Sequence, residues 1–526
     1  MRQEVGLRRL PIHRFYSQNG MKAVSTLALV FFIGVGILSC SKNGEDYVEK
    51  EETIIKDPDK KPVEEDPPPP NEPTGRLVTS KAELNTAITE AIPGDIIVMQ
   101  EGVWSDLDII FTGNGTKEKP ITLKAQSPGG VVVSGRSSLQ MSGEYLVVDG
   151  LHFKDGYSSL PSYFIKFNYK AIPAHHSRLT NVVISGYNRP REDGADVWIS
   201  LFGTNNTVDH CFFQGKTSNS VLLIVWRATD EANYHHIHHN YFKDMPSIGA
   251  GGATAIRIGD GVQALSASRT TVEANIFENM LGIGKIINIK SGGNIIKNNT
   301  FINASGSICI RQGNGNLIAE NYILPAENPS YTGGILVIGE DNIISGNYIQ
   351  GTRAKGKAAI TLYQGDADNY PGKGSYYPTK NILIANNTLI DNDKNILIGQ
   401  KGQVAGMPDV EMTIPVENVT YKENVVIGNS STVPVIQVLN EPIGNIHYEG
   451  NIFFKGNLNS LGDIPGISIE DPQLYKGADG MYYYPTGSAL EGNIIRSPLK
   501  RTDVGPSWIK DRWLELGIED TPYIKP

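Results

Sequence analysis

The sequence predicts an all-β protein, a right-handed parallel β-helix with a short N-terminal capping helix. Three observations carry that expectation. An Asn followed two residues later by an apolar side chain recurs at Asn240/Phe242, Asn275/Phe277, Asn299/Phe301, Asn321/Ile323, Asn347/Ile349, Asn387/Leu389, Asn424/Val426 and Asn451/Phe453. The tightest intervals, 24 residues from Asn275 to Asn299 and 22 from Asn299 to Asn321, are those of a solenoid. Between them lie runs of three to five residues rich in Val, Ile and Thr, bounded by Gly and Asn, with 56 glycines to make the turns. Such strands select a β-helix over a leucine-rich or helical repeat. Wider intervals are coils with inserted loops. An Asn at the corner of each coil can bond its neighbours above and below, and it tolerates the left-handed turn conformation.

The elements follow in chain order. Residues 1–40 form a targeting region: Met21-Lys22 opens it, Leu27 to Leu38 is a compact apolar run, and Leu38-Ser39-Cys40 follows. This resembles a bacterial lipoprotein signal peptide, with Cys40 the lipidated residue after cleavage. The apolar run is short for a membrane-spanning helix, and an uncleaved anchor is the competing reading. Residues 41–75 form a tether. Glu45 to Asp66 holds ten acidic and four basic side chains and Pro67 to Pro70 follows, a composition that buries no core. An acidic run so near the lipidated Cys resembles a lipoprotein surface-export signal. The folded body, residues 76–526, is therefore expected outside the cytoplasm, at the outer membrane or cell surface, touching membrane only through the lipid. Ser80 and Glu83 have capping-box spacing, which predicts a helix over Ser80 to Ala91 that covers the open end of the stack. Pro93-Gly94-Asp95 ends it, and Ile96 to Met99 reads as the first strand.

The formal charge is −9, and the body stays acidic once the tether is set aside. That excludes a general basic surface for nucleic acid. Three cysteines make no disulfide framework, and Cys211 and Cys309 read as coil residues. Against this acidic background, Lys290 and Arg311 lie 21 residues apart, each after an isoleucine that can point inward, Ile289 and Ile310. They should stack on consecutive coils, roughly 4.8 Å apart. Arg257, between Ile256 and Ile258, is a third cation for that face. The following coils offer Leu336 to Ile338, then Thr361-Leu362-Tyr363. A cationic ladder points to an anionic ligand; the bland alternative is a solvated charged face. His235, His236, His238 and His239 crowd one strand, but alternation splits them between two faces and no acidic or Cys partner is near in sequence. No metal is expected there.

The runs Asn288-Ile289-Lys290-Ser291-Gly292-Gly293-Asn294, Asn299-Thr300-Phe301 and Ile310-Arg311-Gln312-Gly313-Asn314 resemble polysaccharide lyase family six, which holds alginate lyases and chondroitinase B. The resemblance extends through Ala255 to Gly259, Gly333 to Asp341 and Ala359 to Leu362, covering most of the chain from about Leu77. It implies β-elimination on a uronate-containing polysaccharide, with Lys290 as general base and Arg311 as its catalytic partner. Asn288, Arg257, Gln312 and Tyr363 are expected to contact the substrate, Tyr363 also as a candidate proton donor. Many members neutralise the uronate with Ca²⁺ held by one Asn and two Glu. The matching positions here are Gly251, Ile283 and Lys285. Ca²⁺ needs six to eight oxygens, so no metal cofactor is expected and the Lys285 ammonium is expected to do the ion's work. Lys285 and Lys290 are an odd number apart, so a bulge or corner near Gly284 must bring both to one cleft. Gln312 also stands where the family has a His. Alginate is the favoured substrate over dermatan, with mannuronate-rich blocks first. A glycoside hydrolase would need paired carboxylates; Asp366 and Asp368 are available, but the coils of Lys290 and Arg311 carry none. A non-catalytic glycan-binding protein is the remaining alternative.

Overall fold

The computed structural model describes residues 75–518 apart from 191–195, 219, 247–252, 282–283, 328–331, 356, 367–375, 403–411, 460, 489–496 and 514–517. Cys40, the tether, Gly251, Ile283 and Asp368 lie outside the described residues. No described helix is long and apolar enough to cross a membrane.

The stack begins one strand earlier than the sequence pattern suggests. Arg76–Val78 pairs in parallel with Ile96–Met99, Leu77 opposite Val98. Three residues, two of them exposed, are too short to show periodicity. The helix between them spans Lys81–Glu90, with Ser80 as N-cap accepting from the Glu83 amide at 3.3 Å. Glu83 returns its carboxylate to the Thr79 amide, 2.7 Å, one residue upstream of the expected box. Leu84, Ala87 and Ile88 are buried in the same core as the coils, so the helix plugs the stack's end.

From there the chain winds into a parallel β-helix. One face is a fourteen-stranded sheet running from Arg76–Val78 to Ile443–Glu449. The other two faces are joined because the long strand Val131–Glu144 pairs on both. Inward positions alternate as strand geometry demands: Leu179, Val208, Ile237, Val272, Ile296 and Ile318 stack through the core of the first face. On the second face Phe242, Phe277 and Phe301 stack nearly parallel, with centroids 4.7 and 4.9 Å apart.

The asparagine ladder is continuous. Amide-to-amide bonds of 2.9–3.0 Å link Asn240, Asn275, Asn299, Asn321, Asn347, Asn387, Asn424 and Asn451. Each Oδ1 also takes the backbone N–H of the Asn below, as Asn299 does from Asn275 at 3.1 Å. The spare N–H goes to a carbonyl, for example Asn299 to Val272 at 3.0 Å. Every polar atom is satisfied without water, so these side chains can be fully buried. A second, shorter ladder joins Asn294, Asn316 and Asn342.

The C-terminal stretch does not add coils but lies along the second face. Arg501 clamps Glu278 with two 2.8 Å bonds, and the Trp508 indole donates to the Asn181 carbonyl at 3.0 Å. Val504, Ile509 and Trp513 are buried there with Phe212, Tyr241, Ile276 and Tyr322.

Candidate active site

The site is built on the outward positions of the third face. Its inward residues run Leu223, Ile256, Ile287, Ile308, Ile335 and Ile360, one per coil. One residue further along each strand, the outward column reads Ile224, Arg257, Asn288, Cys309, Leu336 and Thr361. Arg257 therefore stacks on Asn288, and Lys290 belongs to the next outward position.

Lys290 and Arg311 do come from consecutive coils, but not as direct neighbours. Ile289 faces Ile310, and then a bulge shifts the register so that Lys290 faces Gln312. Arg311 is the extra residue at the bulge, which no period in the sequence encodes. Its guanidinium lies over the Tyr376 ring at 3.6 Å, and Tyr363 is 6.0 Å from the same ring. Tyr376 and Tyr377 with Ala264, Ile338 and Met412 make an aromatic wall on which Tyr363 packs.

Lys290 is half-buried and donates to the Asp260 carbonyl at 3.4 Å. Burial first, then the charges of Arg257, Arg311 and Lys285, push its ammonium down from 10.5 to about 8, with Asp260 pulling the other way. Lys285 thus belongs to the site. The odd spacing is absorbed where Ile286 and Ile287 both turn into the core, just after a bend at Gly284. Lys357 is a further cation that the sequence pattern did not single out. It reaches in from an inserted loop, donates to the Gly284 carbonyl at 3.3 Å, and burial lowers its pKa. Cys309 stands next to Asn288 in the outward column; burial raises its thiol, and the charges of Lys285, Arg311, Lys357 and Lys290 act the other way. Cys309 is free, as is Cys211 in the core. Among the described residues, none of Lys285, Lys290, Lys357 and Arg257 is ion-paired. Such a concentration of cations on an acidic protein, with Asp260 the opposing charge on Lys290, is a site for an anion.

Two expected contact residues differ in their setting. Asn288 is buried at the cleft floor with its Oδ1 lacking a partner among the described residues, as a ligand-facing group would be. Gln312 is fully buried instead, behind the Asp260 loop. A side-chain carbon at Gly261 would come within 2.7 Å of its Oε1, so Gln312 packs against that loop. Towards the N-terminal coils the floor continues through Trp226, whose ring carries Arg257 at 5.7 Å, and Phe202, which carries Lys166 at 5.5 Å.

Burial pushes the Tyr363, Tyr376 and Tyr377 hydroxyls upward, so all three keep their protons at neutral pH. Sequence reasoning pointed to Tyr363; the other two reach the wall from the segment after it. Asp366 is buried, and no acidic pair faces Lys290 among the described residues.

A stack of parallel coils with a cationic, tyrosine-walled cleft defines the class: a β-helix built to hold a polyanion. The family model for chondroitinase B matches residues 78–489, and the chain belongs to that family. Solved structures agree. The family 6 alginate lyase AlyGC is 31% identical with a TM-score of 0.73, over 86% of this chain and 59% of that one. A mannuronic acid specific family 6 lyase from human gut microbiota is 26% identical, TM-score 0.70, covering 84% of this chain and 99% of that one. A family 6 polysaccharide lyase from Pseudopedobacter saltans is 28% identical, TM-score 0.65, covering 82% and 99%. This chain spans a little under three-fifths of the length of the alginate lyase AlyGC. No curated protein matches.

Proposed function

We propose that this chain is an exported polysaccharide lyase that cuts a uronate polymer, alginate before dermatan, by β-elimination. The observation that carries the reading is Lys290, a half-buried lysine brought to about 8 by burial and by the charges of Arg257, Arg311 and Lys285 around it. Its neutral amine takes the proton next to the uronate carboxylate. The electrons form the new double bond, the bond to the 4-linked oxygen breaks, and that oxygen leaves with a proton. Tyr363, protonated and on the wall beside Arg311, is the candidate donor. Arg311 stabilises the enolate-like charge and does not itself give up a proton, because guanidinium stays charged.

The Ca²⁺ common among relatives does not fit here. Lys285 places an ammonium where an oxygen ligand would be needed, and Lys357 shares its surroundings. Two monovalent charges fixed on the protein offer the substrate carboxylate what a divalent ion would. The preference for mannuronate-rich blocks rests on the likeness to the gut enzyme. Cys40 carries the lipid that holds the enzyme at the membrane surface.

The deciding experiment follows ultraviolet absorbance of unsaturated uronate on polymannuronate, polyguluronate and dermatan sulfate. Absorbance rising fastest on polymannuronate is the expected result. Binding without any chromophore on all three would replace the lyase with a glycan-binding protein.

A further inference from the structure

The first face carries a second cluster of reactive side chains, unrelated to the cleft. Strands Thr207–Asp209, His236–His238 and Thr271–Glu273 are adjacent and parallel, so Asp209, His238 and Glu273 share one outward column. His236 lies two residues before His238 and points outward as well. His210 and His239 follow their strands at positive φ, 48° and 52°, and their rings stack at 5.1 Å. Four imidazoles thus meet at one spot: His236 is 4.0 Å from His238, and His238 is 5.1 Å from His239. The acidic partners missing from the local sequence arrive from neighbouring coils, which corrects the expectation that none is near.

We propose that Asp209, His210 and His238, flanked by His236 and His239, bind one divalent transition-metal ion of the zinc class. One ligand atom from each of the three lies within 4.8 Å of the other two. Nitrogen and oxygen ligands on one tetrahedral Zn²⁺ sit about 3.4 Å apart, so closure takes side-chain movement of roughly 1–1.5 Å. Beside the three, Glu273 takes His236 Nε2 at 2.7 Å, the arrangement that metal-binding histidines use, and Asp209, itself a proposed ligand, already takes His210 Nδ1 at 2.6 Å. An imidazole that donates one nitrogen to a carboxylate presents the other as a lone pair. His238 Nδ1 and His239 Nδ1 face each other at 2.9 Å, two nitrogens competing for one proton. Arg178 and Thr180 also hold Asp209, and Lys297 pairs with Glu273, so net charge alone attracts no cation. Selection falls on the imidazole nitrogens, which suit zinc, nickel and copper and not calcium or magnesium. A bound ion would pin two successive coils on a face other than that of Lys290.

The test uses the full chain without a histidine tag, stripped of metal, titrated calorimetrically with ZnCl₂ and melted with and without it. One zinc per chain at micromolar or tighter affinity and a raised Tm are expected. His238→Gln and His210→Gln, each with wild-type circular dichroism, should weaken binding at least tenfold. Lys290→Ala should bind as the wild type does. No uptake, equal affinity in His238→Gln, or equal affinity for Ca²⁺ would each overturn the proposal.

Discussion

Replacing Arg257 with glutamine is expected to move the acid limb of the pH–rate profile upward. Lys290 must be neutral to take a proton, and its drop from 10.5 to about 8 is led by burial, then Arg257, then Arg311 and Lys285. Ranking behind burial, Arg257 accounts for less than half of the lowering, on the scale of about one pKa unit, or about 1.4 kcal/mol. The sign follows from charge: removing a neighbouring cation favours the ammonium, so the pKa of Lys290 rises towards about 9 at the limit. At pH 7 the neutral fraction then falls from about 9% to about 1%, up to a tenfold loss in kcat/KM. Above about pH 9.5 both enzymes are mostly in the base form and that loss disappears. A contact of Arg257 with substrate would instead raise KM equally at every pH. The assay is initial rate of unsaturated uronate release from pH 6 to 10 at fixed ionic strength. An acid limb at the same pH in both enzymes would refute the electrostatic argument.

Lys290→Ala should lower kcat by about 10³-fold or more with unchanged circular dichroism, because an outward residue supports no core; wild-type rates would remove it as base. Lys285→Ala should lose about a hundredfold in kcat and Lys285→Glu more, while chelator leaves initial rates unchanged. Inhibition by chelator that added Ca²⁺ reverses would count against Lys285. Arg501→Met strands a buried Glu278 beside Tyr241 and should cost about 3–5 kcal/mol, read as a lower denaturation midpoint with activity kept in buffer. Cys40→Ser should free the protein from membranes; continued attachment in fractionation would point to an uncleaved anchor.

The fold was legible because the repeat is written in residues whose reason is local. Asn275, Asn299 and Asn321 can be buried only where copies of themselves lie one coil away, so their spacing reports the coil length. Lys290, Arg311, Arg257 and Lys285 stood out by position and by likeness to the family. What stayed hidden depends on loops and on register. Lys357 and Tyr376 come from insertions that interrupt the period, and nothing near them announces the cleft. The bulge that makes Arg311 the extra residue is a backbone event with no side-chain signature. Gln312 was singled out because it stands where the family has a His, and that likeness says nothing of the register shift that sets it opposite Lys290. His238 showed no acidic partner because Asp209 is 29 residues away in sequence and one rung away in space.

The helix at the N-terminal end has a consequence for how far such a stack can grow. Parallel coils add by the same hydrogen bonds whether the next strand belongs to the same chain or to another. An open terminal coil is therefore a template, and two such ends meeting would begin a fibre. Leu84, Ala87 and Ile88 occupy the apolar mouth that a second molecule would need to enter, and the charged side of the helix, with Lys81, Glu83 and Glu90, faces outward in its place. Ten residues of helix keep a repetitive architecture from polymerising.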